Sequence, residues 1–432
     1  MRIYDAAFYV AVFFILGIAG ASLGISVYLI LTTGLIALIF LKVRGMVNPI
    51  LWLCILFSSI FVGFFYYNVY SAIYKENVVL DRETVFEGIV YKDPRRGQAH
   101  QEIDLSLKGN YSGTVRIYAA LYPTYNYGDL LEIKGTITKS PSGLNMISFP
   151  AMRLVQSGED GRIKSFLFSV KNRLIRNLER VLPTEKSAFL AGILFGERAE
   201  FSDDFKEALQ KSGTTHLVAL SGYNVSIIAI SLSNVLSYIG SRRRAFWLSI
   251  AFIILFVLMT GAEESVVRAA FMGIIFLISE RSSRLYSFRN AIALTAFVML
   301  LINPGLLVFN VGFQLSFAAL LGLVYLKPVI EKFTRLSGQK TFLNWRENFI
   351  QTLSAQLAVL PVILYTFGYF SPLALFSNVL VLEFMPVTMF LGFVTAGVGV
   401  VSYHLSFLIG WVTGILLGYE IFIINFFGAY IS

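Results

Sequence analysis

The chain has 432 residues, of which 56% are hydrophobic and only 14% charged. A soluble protein carries about 25% charged residues, so an ordinary soluble domain is excluded and a multi-pass helical membrane protein is indicated. The net charge of +9 is not in itself a nucleic-acid signature, because many basic residues fall in short loops between apolar runs, where topology signals sit.

Residues 6–25, 26–41 and 50–73 read as three hydrophobic helices, each close to the roughly 20 residues a span needs. The weak basic start (Arg2 offset by Asp5) and the second apolar run directly behind it mark the first as a retained helix rather than a signal peptide. Lys42 and Arg44 follow the second, which places that loop and the N-terminus inside and residue 75 outside. The lone Cys54 lies in an apolar run and offers no disulfide framework.

Residues 80–157 change character. Ile103, Leu105 and Leu107 alternate with polar residues, as do Val115, Ile117, Ala119 and Leu121, and then Leu131, Ile133, Gly135 and Ile137. Turn sequences DPRRGQ, KGNYSG and KSPSG separate these runs, predicting about five strands in a small external β-barrel of the OB type. The next stretch predicts a basic amphipathic helix. Ile163, Phe166, Leu167, Val170, Leu174, Leu178 and Val181 form its apolar stripe, with Arg162, Lys164, Lys171, Arg173, Arg176 and Arg180 elsewhere. Such a helix lies by default in the membrane interface, with guidance of a polyanion as the alternative. Two short external helices are expected in 185–212, around GERAEFSDD.

Apolar segments return at about 216–240, 245–260, 264–280, 289–302, 306–327, 348–367, 372–400 and 405–430, for about 10–11 transmembrane helices in all. If 216–240 runs inward, the clusters Arg242–Arg244, Arg281/Arg284/Arg289 and Lys327–Arg346 all fall inside. The domains expected are 1–75 (N-terminal spans), 80–157 (external β-domain), 160–212 (amphipathic and short interfacial helices) and 213–432 (transmembrane domain).

The chemistry-bearing residues are few. There are three histidines and one cysteine, with no HExxH, paired-Cys or HxH pattern, which argues against a metal site. No Walker sequence is present, and ALSGYN is not a GxSxG elbow. The chain therefore reads as a non-enzyme without metal or cofactor. Three polar features interrupt the apolar region. His216, Ser221, Gly222 and Asn224 sit in HLVALSGYNVSI, as a broken helix lining a polar cavity or as interhelical hydrogen bonding. Arg268 follows Glu264 by one turn, as a structural ion pair or as a phosphate contact. Gln314 and Ser316 in VGFQLSFAALLG read first as helix–helix glue.

Four blocks carry a family resemblance: AFLAGILFGERAEFSDDFKEALQKSGTTHLVALSGYNVS, ESVVRAAFMG, NPGLLVFNVGFQLSFAALLG and SAQLAVLPVILYTFGYFSPLALFSNVLV. Their order and spacing closely resemble the competence domain of the ComEC family of DNA-uptake channels, and the N-terminal helices and β-domain resemble that family's N-terminal half. The resemblance implies an inner-membrane channel, with the N-terminus cytoplasmic and the β-domain outside, that passes single-stranded DNA into the cell during natural transformation. It carries over His216, Ser221, Gly222, Arg268, Gln314 and Ser316 as pathway candidates. Asn224 stands where the family usually has a second histidine, and Thr366 replaces a frequent histidine in LYTFG. A metallo-β-lactamase-like domain frequent in the family is not in these residues, so a nuclease is expected in trans, with a cytoplasmic ATPase or helicase and a competence pilus or DNA receptor.

Single-stranded DNA needs cations and stacking surfaces. The β-domain offers Arg95, Arg96, Lys108 and Arg116 with Tyr122, Tyr125 and Tyr127. Against that, residues 80–157 hold nine basic and eight acidic residues, a net of +1, so a scaffold capping the channel is an equal reading. The rival functions are a small-molecule or lipid transporter and a membrane transferase using Glu263, Glu264 and His216.

Overall fold

The computed structural model describes residues 3–25, 49–74, 77–97, 99–140, 145–158, 162–197, 201–218, 241–281, 287–334, 345–368, 370–371 and 373–429. The expected span at 26–41, the loop with Lys42 and Arg44, and residues 219–240 lie outside them. In chain order the helices before the sheet are α1 (Ile3–Ser22) and α2 (Pro49–Ile73). The strands are β1 (Glu83–Val90), β2 (Arg95–Arg96), β3 (Gln101–Lys108), β4 (Thr114–Ala119), β5 (Leu130–Thr136), β6 (Thr138–Lys139), β7 (Asn145–Ser148) and β8 (Ala151–Gln156). Then come α3 (Arg162–Val181), α4 (Thr184–Phe195), α5 (Asp203–Lys211), α6 (Thr215–Val218), α7 (Arg242–Met259), α8 (Glu264–Arg281) and α9 (Phe288–Ile302). The last are α10 (Leu306–Phe309), α11 (Val311–Leu321), a π-segment Gly322–Leu326, α12 (Lys327–Thr334), α13 (Trp345–Phe367), α14 (Ala374–Leu382), α15 (Met385–Val398) and α16 (Tyr403–Ala429).

Five spans among the described residues are long and apolar enough to cross a membrane: Asp5–Ser22, Cys54–Ile73, Val311–Phe333, Arg346–Phe367 and Tyr403–Ala429. The pair α14–α15, bent by 51°, makes a sixth if it is one broken span. This is fewer than the sequence suggests. Part of the difference lies in 26–41 and 219–240. The rest has physical causes: α7 opens on three arginines, α8 carries charges at both ends and α9 has only 15 residues. The chain is a helical, multi-pass membrane protein with a mixed sheet inserted.

Two compact units divide the chain, 1–74 with 267–370, and 75–266 with 371–432. In the first, α1 and α2 approach closely at two glycines. A Cβ at Gly17 would strike the Ile60 carbonyl, and one at Gly63 the Phe14 carbonyl. Small residues bring membrane helices into this kind of backbone contact, and Ser59 Oγ adds a hydrogen bond to the Val10 carbonyl at 2.7 Å. The core of this unit gathers Phe14 and Ile18 with Ile292, Met299, Leu300, Phe313 and Phe317.

In the second unit the sheet runs β6-β7-β4-β3-β1-β5-β8, with β2 on the edge of β3. The alternations read in the sequence match the burial: Ile103, Leu105, Leu107, Val115, Ile117, Leu131, Ile133 and Ile137 form the core of the sheet. Eight strands replace the expected five, because β2 and β6 are two-residue strands and the tail of the domain divides into β7 and β8. The sheet does not close on itself: its path is open, with β6 at one end and β8 at the other.

Two findings concern the helices after the sheet. Leu167, Phe168, Lys171, Ile175 and Leu178 are buried on α3, while Ile163 and Phe166 are exposed. The inward face is thus rotated from the apolar stripe, and a lysine belongs to it. On helix α4, Ser187 to Phe195 are all buried. The α3–α4 corner packs along glycines of α16, with Val181 at Gly410, Leu182 at Gly414 and Lys186 at Gly418. Lys186 Nζ donates to the Gly414 carbonyl at 2.8 Å.

Candidate functional site

The entry to the HLVALSGYNVSI stretch is built from two of the four sequence blocks. Ser202 caps α5 by accepting from the Phe205 N–H at 3.2 Å, and the helix runs to Lys211. Gly213 then turns the chain at φ +70°, where a Cβ would also strike Ala374. Only glycine meets both demands. Ser371 Oγ donates to the Lys211 carbonyl at 2.6 Å and Ser377 Oγ to the Ser212 carbonyl at 2.7 Å. The SPLALFSN block is therefore the clamp on the KSGT turn. His216 follows on α6 and is exposed. Ser221, Gly222 and Asn224 lie outside the described residues.

A polar junction joins the β-domain to the helices of the same unit. Lys171, 7% exposed at its side chain, sits 2.8 Å from Asp93 and 3.7 Å from Glu197. Its Nζ also lies 5.6 Å from the centre of the Phe168 ring. Arg95 pairs with Glu263 at 2.9 Å. Glu197 directly follows the left-handed cap Gly196 of α4, and Glu263 follows Gly261 and Ala262, both at positive φ. Lys92, Asp93, Arg95, Lys171, Glu197 and Glu263 line one small cavity. Three cations thus meet three carboxylates, which a sequence scan cannot foresee because they come from four separate segments.

The candidate DNA-contact residues of the β-domain occupy different environments. Arg116 is held by Asp104 at 2.7 Å across the β3–β4 pair. Burial pushes the Asp104 carboxyl up, but the Arg116 hydrogen bond and charge outweigh it and hold the group below its usual range. The same bond raises Arg116 further above its ordinary value, and burial pushes neighbouring Tyr91 up to about 12. Tyr125 is 5% exposed and belongs to the core of the sheet, which removes it from a contact surface. Tyr127 packs edge-on against Phe168 at 5.4 Å, with Lys164 5.4 Å from its ring centre. Lys108 is exposed and Tyr122 is 80% exposed, so these two are open to a ligand. Arg96 contributes backbone to β2 opposite Gln101; its side chain is outside the described set.

In the other unit, Arg268 on α8 is 7% exposed. Its guanidinium lies 5.9 Å from the centre of the Phe317 ring, and its Nη1 is buried with no hydrogen-bond partner. Among the described residues it forms no ion pair, so the Glu264 partnership considered from the sequence is not made. Gln314 has a local task. Its Nε2 donates to the Leu307 and Val308 carbonyls at 3.0 and 2.8 Å, satisfying the end of the short helix α10. Asn310 caps α11 by accepting from the Phe313 N–H at 2.7 Å. Ser316 is half-buried on the same helix. Among the described residues no group of His, Cys, Asp and Glu is arranged to hold a metal ion.

The apolar multi-span chain thus holds, on α8, a buried arginine with no ion pair among the described residues. Residues 193–430, more than half of the chain, match the family model described as "Competence protein", and the chain belongs to that family. It is similar to ComE operon protein 3 of Bacillus subtilis (strain 168), at 33% identity over 250 residues, 58% of this chain and 31% of the relative. The matched region thus spans less than a third of that relative's length. No solved structure matches the chain.

Proposed function

We propose that the protein is a channel of the plasma membrane that imports single-stranded DNA during natural transformation. Membership of the competence family supports the process. The observation that carries the channel reading is Arg268: a guanidinium in an apolar helix with one nitrogen buried and unpartnered among the described residues. A charge in such a place is expensive and marks a pathway or a partner by default, and a guanidinium suits phosphate oxygens. Lys108 and Tyr122 on the β-domain supply an exposed cation and ring for an incoming strand.

The finer points of this reading are the cytoplasmic N-terminus, the external β-domain and 10–11 spans in total. The β-domain is taken as an OB-type barrel left open. In support, the spatial order β5-β1-β3-β4 is that of a Greek key, and β7 runs parallel to β4. The chain itself works as a conduit rather than an enzyme, with the motor, nuclease and DNA-receiving pilus supplied by other proteins. The test is uptake of labelled DNA in a deletion strain complemented with this chain. Uptake that depends on the gene supports the channel; undiminished uptake and transformation in the deletion strain would refute it.

A further inference from the structure

Helices α15 and α16 pack antiparallel through a seam of buried hydroxyls. Ser406 Oγ donates to the Thr395 carbonyl at 2.8 Å, and the Thr395 and Thr413 hydroxyls meet at 3.2 Å. Seven residues further along each helix, the seam reaches Thr388 and Glu420. Thr388 Oγ1 donates to Glu420 Oε1 at 2.7 Å. All five side chains belong to residues with zero exposure. At the Thr395–Thr413 rung two hydroxyls satisfy one another, and Thr413 also donates to the Ile409 carbonyl at 2.9 Å. At the next rung a hydroxyl faces a group with two oxygens, and Glu420 Oε2 is left buried without a hydrogen-bond partner.

Two further facts define the place. Glu420 lies nine residues before the end of the apolar span Tyr403–Ala429, well within the hydrocarbon depth by a rise of about 1.5 Å per residue. It also lies beside a helix break. α14 ends at Leu382 and α15 begins at Met385, bent by 51°. The Tyr419 ring packs against Phe384 in the bend at 5.1 Å, and Thr388 is in the first turn after it. Breaks of this kind free backbone carbonyls and expose half-helix ends, which is how membrane proteins build ion sites.

We infer that Glu420 Oε2 is a binding site for a single positive charge, either a proton or a monovalent metal ion. A bare carboxylate inside an apolar bundle is too costly to leave uncompensated. Among the described residues Glu420 forms no ion pair. The charged and titratable groups near it are Tyr419 beside it, Glu383 in the bend and Lys186 on α4, whose Nζ is committed to the Gly414 carbonyl. The charged residues of α5 flank Ala208, which packs at Gly428, about two turns further on. Glu420 is the one acid among the five side chains of the seam, and one carboxylate balances one charge, which argues against a divalent ion. The site stands apart from what the channel carries, so it survives or fails independently of the DNA reading.

The test uses the full chain in lipid nanodiscs, comparing wild type with Glu420→Gln, which keeps the shape and an acceptor for Thr388. For a metal ion, melting temperature should rise with sodium, lithium or potassium chloride over choline chloride at equal ionic strength, and the rise should vanish in the variant. For a proton, infrared difference spectra should show a neutral carboxylic C=O band that Glu420→Gln lacks. Thr388→Val should move that band or weaken the metal effect, and it serves if the glutamine variant does not fold. An ionised carboxylate with no alkali-metal dependence would overturn the inference.

Discussion

The β-domain with its junction and the apolar helices treat charge in opposite ways. In the first, Lys92, Arg95, Arg116, Lys134 and Lys171 each face a carboxylate. In the second, Arg268 and Glu420 form no ion pair among the described residues, and each keeps a buried polar atom without a hydrogen-bond partner, a feature that Glu197 Oε1 shares at the junction despite its lysine. The contrast separates two roles that composition alone confuses. Paired cations hold one element on another; an unpaired ion in an apolar helix has a task that packing does not explain.

The largest structural effect is expected at the junction. Lys171→Met leaves Asp93 and Glu197 without their shared cation, and breaking a buried pair costs about 3–5 kcal/mol. Hydrogen exchange of the full chain should show lost protection around residues 91–96 and at the end of α4. Unchanged protection there would mean that the junction is not held by charge.

Next in size is the acid sensitivity of the sheet. Asp104 is held below its unfolded value, so its contribution is fully present above the unfolded carboxylate range. It is lost as the pH falls through the lowered value. Protection of β3 and β4 amides, corrected for intrinsic exchange, should weaken on acidification, and Asp104→Asn should flatten that dependence. Smaller still is Arg95→Met, at about 1 kcal/mol or less for a half-exposed pair. A loss as large as that of Lys171→Met would erase the distinction drawn between them.

Much of this was legible in the residues. Alternation at Ile103, Leu105 and Leu107 located β3, and the Gly–Pro–Ser turns separated the strands. Span lengths pointed to a multi-pass membrane protein, and the four sequence blocks carry the resemblance to the family. Three things were not legible. Lys171 reads as one more cation off the apolar stripe of an interfacial helix, because its partners Asp93 and Glu197 are distant in sequence. Tyr125 looked like Tyr122 and Tyr127, although only the fold shows that it fills the core of the sheet. Glu420 sits inside a long apolar run, where a single acid barely changes hydropathy. Gln314 was placed with the pathway candidates and also as helix glue; its two bonds to the end of α10 are those of a local cap.

The central claim is that Arg268 serves the passage of a polyanion. The most direct measurement is entry of labelled single-stranded DNA in cells carrying Arg268→Ala, Arg268→Lys or the wild-type chain at equal membrane levels. The account predicts that alanine lowers entry by orders of magnitude and that lysine, which keeps the charge but not the planar fork, restores part of it. Wild-type entry with the alanine variant would contradict it.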